Sequence, residues 1–116
     1  MDRHRATTST GAVVDQPTVL QLADLVAEVD RSGHDAFLVV ERHAAAGSVT
    51  HLQANRTHDS WLLEVHDGGV TRRYQAETPD PALVYSAVAY WVLRNRTWPE
   101  LAWRRPVVGA GLARAV

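Results

Sequence analysis

Cysteine is absent from all 116 residues. That absence excludes a disulfide framework, a thiolate nucleophile and any cysteine-ligated zinc or iron–sulfur centre. Lysine is missing as well, and all twelve basic residues are arginine. Arginine codons are GC-rich and lysine codons are not, so this bias points to the coding genome and not to a function. No window approaches the roughly 20 apolar residues that span a bilayer, because the most apolar stretch, Ala82 to Leu93, stops at Arg94. The segment from Met1 to Thr10 has basic residues without the apolar run that a secretory signal places behind them, so a cytoplasmic protein is expected. Neither sign of charge is in surplus: the net charge is -1, which argues against a large nucleic-acid footprint.

What is present is the composition of an ordinary globular protein, 46% hydrophobic and 22% charged. The length suits one domain with one core. Residues 1–14 are rich in Thr, Ser and charge and are expected to form a flexible arm; 15–107 are expected to form a single α+β domain, and 108–116 a flexible tail. Thr18 and Gln21 have the spacing of a capping box, and Leu22, Leu25, Val26 and Val29 recur at helical spacing, which predicts a helix from Val19 to Arg31. Gly33 stands where a left-handed cap would close it.

Two strands are expected next, Ala36 to His43 and Ser48 to Arg56, joined by Ala44 to Gly47. Trp61 to His66 and Val70 to Ala76 flank Asp67-Gly68-Gly69, the pattern of a hairpin whose turn glycines permit positive φ. Alternation puts Trp61, Leu63, Val65, Tyr74 and Ala76 on one face and Glu64, His66, Arg73 and Gln75 on the other. Asp80-Pro81 supplies an N-cap oxygen and a preset first-turn φ for a second helix reaching Asn95. That helix is apolar nearly all round, the mark of the most buried element or of an oligomer contact. Trp98 and Trp103 follow, placed to close one edge of the core. The simplest assembly is a four-stranded antiparallel meander flanked by an N-terminal and a C-terminal helix, with both helices on one face.

No catalytic motif emerges. The six histidines show no HExxH spacing; His51 and His66 can meet on adjacent strands with Glu64 or Glu41 nearby, but an unpaired ligand set of this kind is weak, and neither metal nor cofactor is expected. Ser48, Ser60 and Ser86 lie outside any nucleophile elbow. Gly68-Gly69 and Gly109-Ala110-Gly111 do not stand between a strand and a helix as a phosphate-cradling loop does. The doublets Arg72-Arg73 and Arg104-Arg105 lie beside Tyr74 and Trp103 without a sustained basic funnel. The feature left is the wet face of the sheet, where His51, Gln53, Asn55, Glu64, His66, Arg73 and Gln75 form a polar plate suited to a protein partner, or simply to solvent.

Three stretches carry a family resemblance: Thr18 to Val29, Asp67-Gly68-Gly69 with the strand after it, and Pro81 to Leu93 running into Trp98-Pro99-Glu100-Leu101-Ala102-Trp103. In these the chain resembles actinobacterial members of the first family of polymorphic-toxin immunity proteins, small α+β antitoxins encoded beside a secreted toxin. The resemblance implies a stoichiometric inhibitor that occupies the active cleft of that toxin without turnover. The competing readings are a homodimeric structural or small-ligand-binding domain, and an enzyme using histidine and glutamate side chains.

Overall fold

The computed structural model describes residues 2–67 and 73–106. Its elements run β1 (Arg3–Thr8), β2 (Val13–Asp15), α1 (Val19–Ser32), β3 (Phe37–His43), β4 (Val49–Arg56), β5 (Trp61–His66), β6 (Arg73–Thr78) and α2 (Pro81–Arg94). The α+β class is as expected. The sheet, however, has six strands and not four, in the order β2-β1-β3-β4-β5-β6, with every neighbouring pair antiparallel.

The two additional strands replace the expected arm. β1 and β2 form a hairpin through a three-residue loop, in which the Thr8 amide donates to the Ala12 carbonyl at 3.0 Å and Gly11 takes φ 94°. The same loop joins β3 to β4, where Gly47 takes φ 93°. The third loop residue must turn into positive φ, a conformation that costs glycine little. β1 then pairs with β3 along its whole length, from Arg3 opposite His43 to Thr8 opposite Leu38. Because of this hairpin, α1 is preceded by two strands and is not an N-terminal flank. β2 has only three residues, and a very short edge strand limits pairing with other chains.

Helix boundaries follow the local signals. Thr18 Oγ1 accepts from the Gln21 amide at 3.1 Å while Gln21 Oε1 accepts from the Thr18 amide at 2.9 Å, the reciprocal capping box. Gly33 ends α1 at φ 81° and ψ -152°, and its amide donates to the Val29 carbonyl. This is positive φ as expected, but outside the left-handed helical region. α2 starts at Asp80, whose carboxylate accepts from the Ala82 amide at 2.9 Å, and closes on Asn95 in the left-handed region at φ 56°.

Strand alternation sends Ala6, Leu38, Val40, Leu52, Ala54, Leu63, Val65 and Ala76 into one core with Leu22, Leu25, Val26 and Val29 of α1 and Val84, Ala87, Val88 and Trp91 of α2. Both helices therefore lie on one face of the sheet. α2 is less uniformly buried than its composition implies, since Leu93 is exposed. Trp98 packs edge-on against Tyr90 at 5.1 Å, Trp103 Nε1 donates to the Trp98 carbonyl at 2.7 Å, and Leu101 is buried. Arg104 then forms an antiparallel bridge with Gln75, covering part of the β6 edge. The turn at Gly68-Gly69 and the tail 108–116 lie outside the described residues.

Candidate functional site

The seven residues of the anticipated polar plate share the face of the sheet that carries no helix. Register places them in rows. His51 of β4 stands opposite His66 of β5, which stands opposite Arg73 of β6; Gln53 faces Glu64, which faces Gln75; Asn55 faces Leu62. Partners directly across an antiparallel pair project to the same side, so these are lateral neighbours on one surface.

The rows extend beyond the anticipated residues. The first runs Asp15, Arg5, Glu41, His51, His66, Arg73 across all six strands. The second runs Val13, Thr7, Val39, Gln53, Glu64, Gln75, and a third joins Phe37, Asn55, Leu62 and Glu77. The plate is thus mixed: Phe37, Val39 and Leu62 bring half-buried apolar surface among its polar groups. Arg5 lies in the segment expected to be an arm, and Asp15 directly follows that segment, so sequence alternation gives neither a place on the sheet. Phe37 and Val39 escape alternation because a continuous apolar run does not announce which members point outward.

At the centre, the His51 and His66 rings stack at 4.3 Å between centroids with an interplanar angle of 19°. His66 Nε2 lies 3.7 Å from Glu64 Oε2, and Arg73 Nη2 lies 3.9 Å from the same oxygen. Burial pushes the His66 pKa down from the ordinary histidine value, His51 and Arg73 push it the same way, and Glu64 opposes them. The lowered His66 pKa fits the stacked geometry, since two imidazolium ions at this separation repel. Gln53 Nε2 donates to Asn55 Oδ1 at 2.8 Å, and Asn55 Nδ2 reaches the Leu62 carbonyl at 3.5 Å. Gln75 sits at the outer strand, its backbone held by Arg104.

The charges of the plate are unevenly satisfied. Arg5 Nε donates to Asp15 Oδ1 at 2.7 Å, which closes the β1–β2 end. Glu41 meets only His43 at 3.7 Å among its recorded ion pairs within the described residues, and its side chain is 41% exposed. Glu41 and Glu64 flank the stacked histidine pair at the middle of the plate, Glu64 with Arg73 beside it and Glu41 opposite Arg5. The remaining histidines are elsewhere: His34 and His58 stack at 3.8 Å beside the β4–β5 loop, and His4 faces the core side. Among the described residues, no group of three or more His, Asp or Glu side chains is arranged to hold a metal ion. None of their helices is long and apolar enough to cross a membrane.

No family model, curated protein or solved structure matches this chain.

Proposed function

We propose that the chain is a non-catalytic protein-binding module that docks a single protein through the open face of its sheet, and that this partner is a toxin encoded nearby, neutralised in the cytoplasm by steric occlusion. The observation that carries the reading is the uncovered six-strand plate. Both helices lie on the other side, so nothing in the described chain shields this face.

Size supports a protein and not a small molecule. The five strands of six to eight residues, at about 4.8 Å spacing, span about 19 Å by about 24 Å, and three-residue β2 adds a little more, which gives on the order of 500 Å². That approaches the roughly 800 Å² per partner of a standard protein interface. Small ligands are held in concavities that bury most of their surface, whereas this surface is a sheet face. Its composition is also suitable, with apolar anchors at Phe37, Val39 and Leu62 beside alternating charges. The Glu41 carboxylate, 41% exposed near its middle, fits a partner that presents Arg or Lys there. Such a partner is immobilised and covered, and no turnover is involved.

The test is copurification and titration with the product of the neighbouring gene, using the wild-type chain and the variants Phe37→Ala and Glu64→Arg. Each substitution is expected to cost on the order of 2 kcal/mol of binding, roughly thirtyfold in Kd. No binding by the neighbouring product overturns the toxin assignment. Full affinity in both variants overturns the assignment of the face. Sedimentation of the chain alone as a dimer that Glu64→Arg dissociates would show that a second copy covers it instead.

A further inference from the structure

The inner face of the sheet is mostly apolar, with Thr8 and Thr78 buried near one end and Arg42, which β3 turns toward α2, near the other. Among the described residues, Arg42 is the one charged side chain that is buried, at 4% exposure. Its Nη2 donates to the Trp91 carbonyl at 2.6 Å, its Nη1 donates to Asn95 Oδ1, and its guanidinium carbon lies 4.2 Å from the centroid of the Trp91 ring. The cation thus sits at the C-terminal end of α2, where unpaired carbonyls favour positive charge. Its Nε donates to His4 Nε2 at 3.2 Å, and the His4 ring meets Trp91 edge-on at 6.3 Å.

That last bond fixes a protonation state. A guanidinium has donors only, so His4 Nε2 accepts, its proton resides on Nδ1 and the ring is neutral. Protonating Nε2 removes the acceptor and sets a second cation against Arg42. Burial and Arg42 both push the His4 pKa down, and Asp2 opposes them. The surrounding groups are few. Asp2 Oδ2 is 4.0 Å from Arg42 Nε, and Asp67 after β5 acts on Arg42 from farther off. α2 contributes the uncharged Trp91 and Asn95, and β4 contributes the uncharged Thr50 opposite Arg42. Gln16, after β2, accepts from the His4 amide through Oε1. Solvent reaches the ring through a depression of about 340 Å³ lined by Arg3, His4, Arg5, Asp15, Gln16 and His43.

We propose that His4, Arg42 and the C-terminal turn of α2 form a proton-sensitive latch, which fastens β1 to the body of the fold while His4 is neutral and loosens its N-terminal end when His4 takes up a proton. The proposal does not rest on the binding function. It does have a consequence for the open face, because β1 and β2 supply Arg5 and Asp15 to the long charged row.

The test is amide hydrogen exchange of the full chain at about pH 7.5 and about pH 5, corrected for intrinsic rates and referred to β4 and β5, together with nitrogen NMR of the imidazoles. Protection of the β1 amides is expected to fall about tenfold or more relative to β4 and β5 on acidification, and His4 is expected to appear as the Nδ1–H tautomer at neutral pH. In His4→Gln the side-chain oxygen still accepts from Arg42 but does not titrate, so β1 stays protected at both pH values. His66→Gln leaves the acid response of β1 in place, which separates the latch from the stacked pair. Equal protection of β1 at both pH values, an unchanged acid response in His4→Gln, or an Nε2–H tautomer at neutral pH overturns the proposal.

Discussion

The two faces of the sheet are made from the same six strands and differ in almost everything else. One face meets α1 and α2 through aliphatic residues with essentially no exposure, such as Leu38, Leu52 and Leu63, and the one buried charge among the described residues, Arg42, is supplied with acceptors. On the other, ionised and amide groups stand in rows, half-buried by their lateral neighbours and covered by no helix among the described residues. The difference teaches that the side chains that build the core are separate from the face proposed for recognition. Residues one position apart in a strand meet different surroundings, because a pleated strand sends them to opposite sides.

Breaking the inner face is expected to produce the largest effects. Leu63→Ala removes a fully buried side chain from the centre of β5, between Ala54 and Ala76, and is expected to destabilise by about 2 to 5 kcal/mol in urea unfolding. Its immediate neighbour Glu64 is the control. Arg42→Leu is expected to cost about 1 to 3 kcal/mol, because it leaves the His4 nitrogen and the Trp91 carbonyl without their donor. A loss near zero would mean that the leucine recovers in apolar contact what the hydrogen bonds supplied, as occurs when buried ionic groups are replaced by well-packed apolar ones.

Acid comes next in size and acts on both faces at once. His4 on the inner side and His66 on the open side both have pKa values lowered in the folded protein. The unfolded chain therefore binds more protons below the ordinary histidine value, and stability falls as pH falls. The contribution is present in full above about pH 6.5 and is lost progressively below it. The urea midpoint should be flat from about pH 8 to about 6.5 and then decline, and the combined variant His4→Gln with His66→Gln should flatten that decline until carboxylates begin to titrate. A decline of unchanged slope in that variant would assign the acid sensitivity to other groups.

The contrast between the faces also decides what could be read from sequence. α1 and α2 were legible because their capping residues, Thr18 with Gln21 and Asp80 with Pro81, mark the starts, and apolar spacing marks the buried sides. β5 was legible because Trp61, Leu63 and Val65 alternate with polar or outward partners, and the same alternation put all seven plate residues on one side. β1 was not, because its inward positions are His4, Ala6 and Thr8. A strand that buries an alanine and a threonine produces no hydrophobic period, and its charges read as those of a solvated tail. The available signal was subtler: Gly11 in a short polar loop, followed by Val13-Val14, has the form of a hairpin turn and its returning strand. The His4–Arg42 contact joins positions 38 apart and exists only because β1 pairs with β3, so no local pattern encodes it.

The smallest expected stability effect belongs to the middle of the open face, and it is the one that most sharply tests the comparison. Glu41→Gln removes a charge that is 41% exposed and keeps the shape and hydrogen-bonding capacity of the side chain. Exposed substitutions of this kind ordinarily fall within about 0.5 kcal/mol of the parent. Unfolding curves of parent and variant are therefore expected to overlay, while affinity for a partner that places a cation opposite Glu41 should fall and lose part of its salt dependence. If Glu41→Gln instead destabilises the fold as much as Arg42→Leu does, the open face carries part of the structural load and the separation between the two faces fails. If neither folding nor binding responds, Glu41 is solvated surface, and recognition has to be sought elsewhere on the face, first in Phe37, Val39 and Leu62.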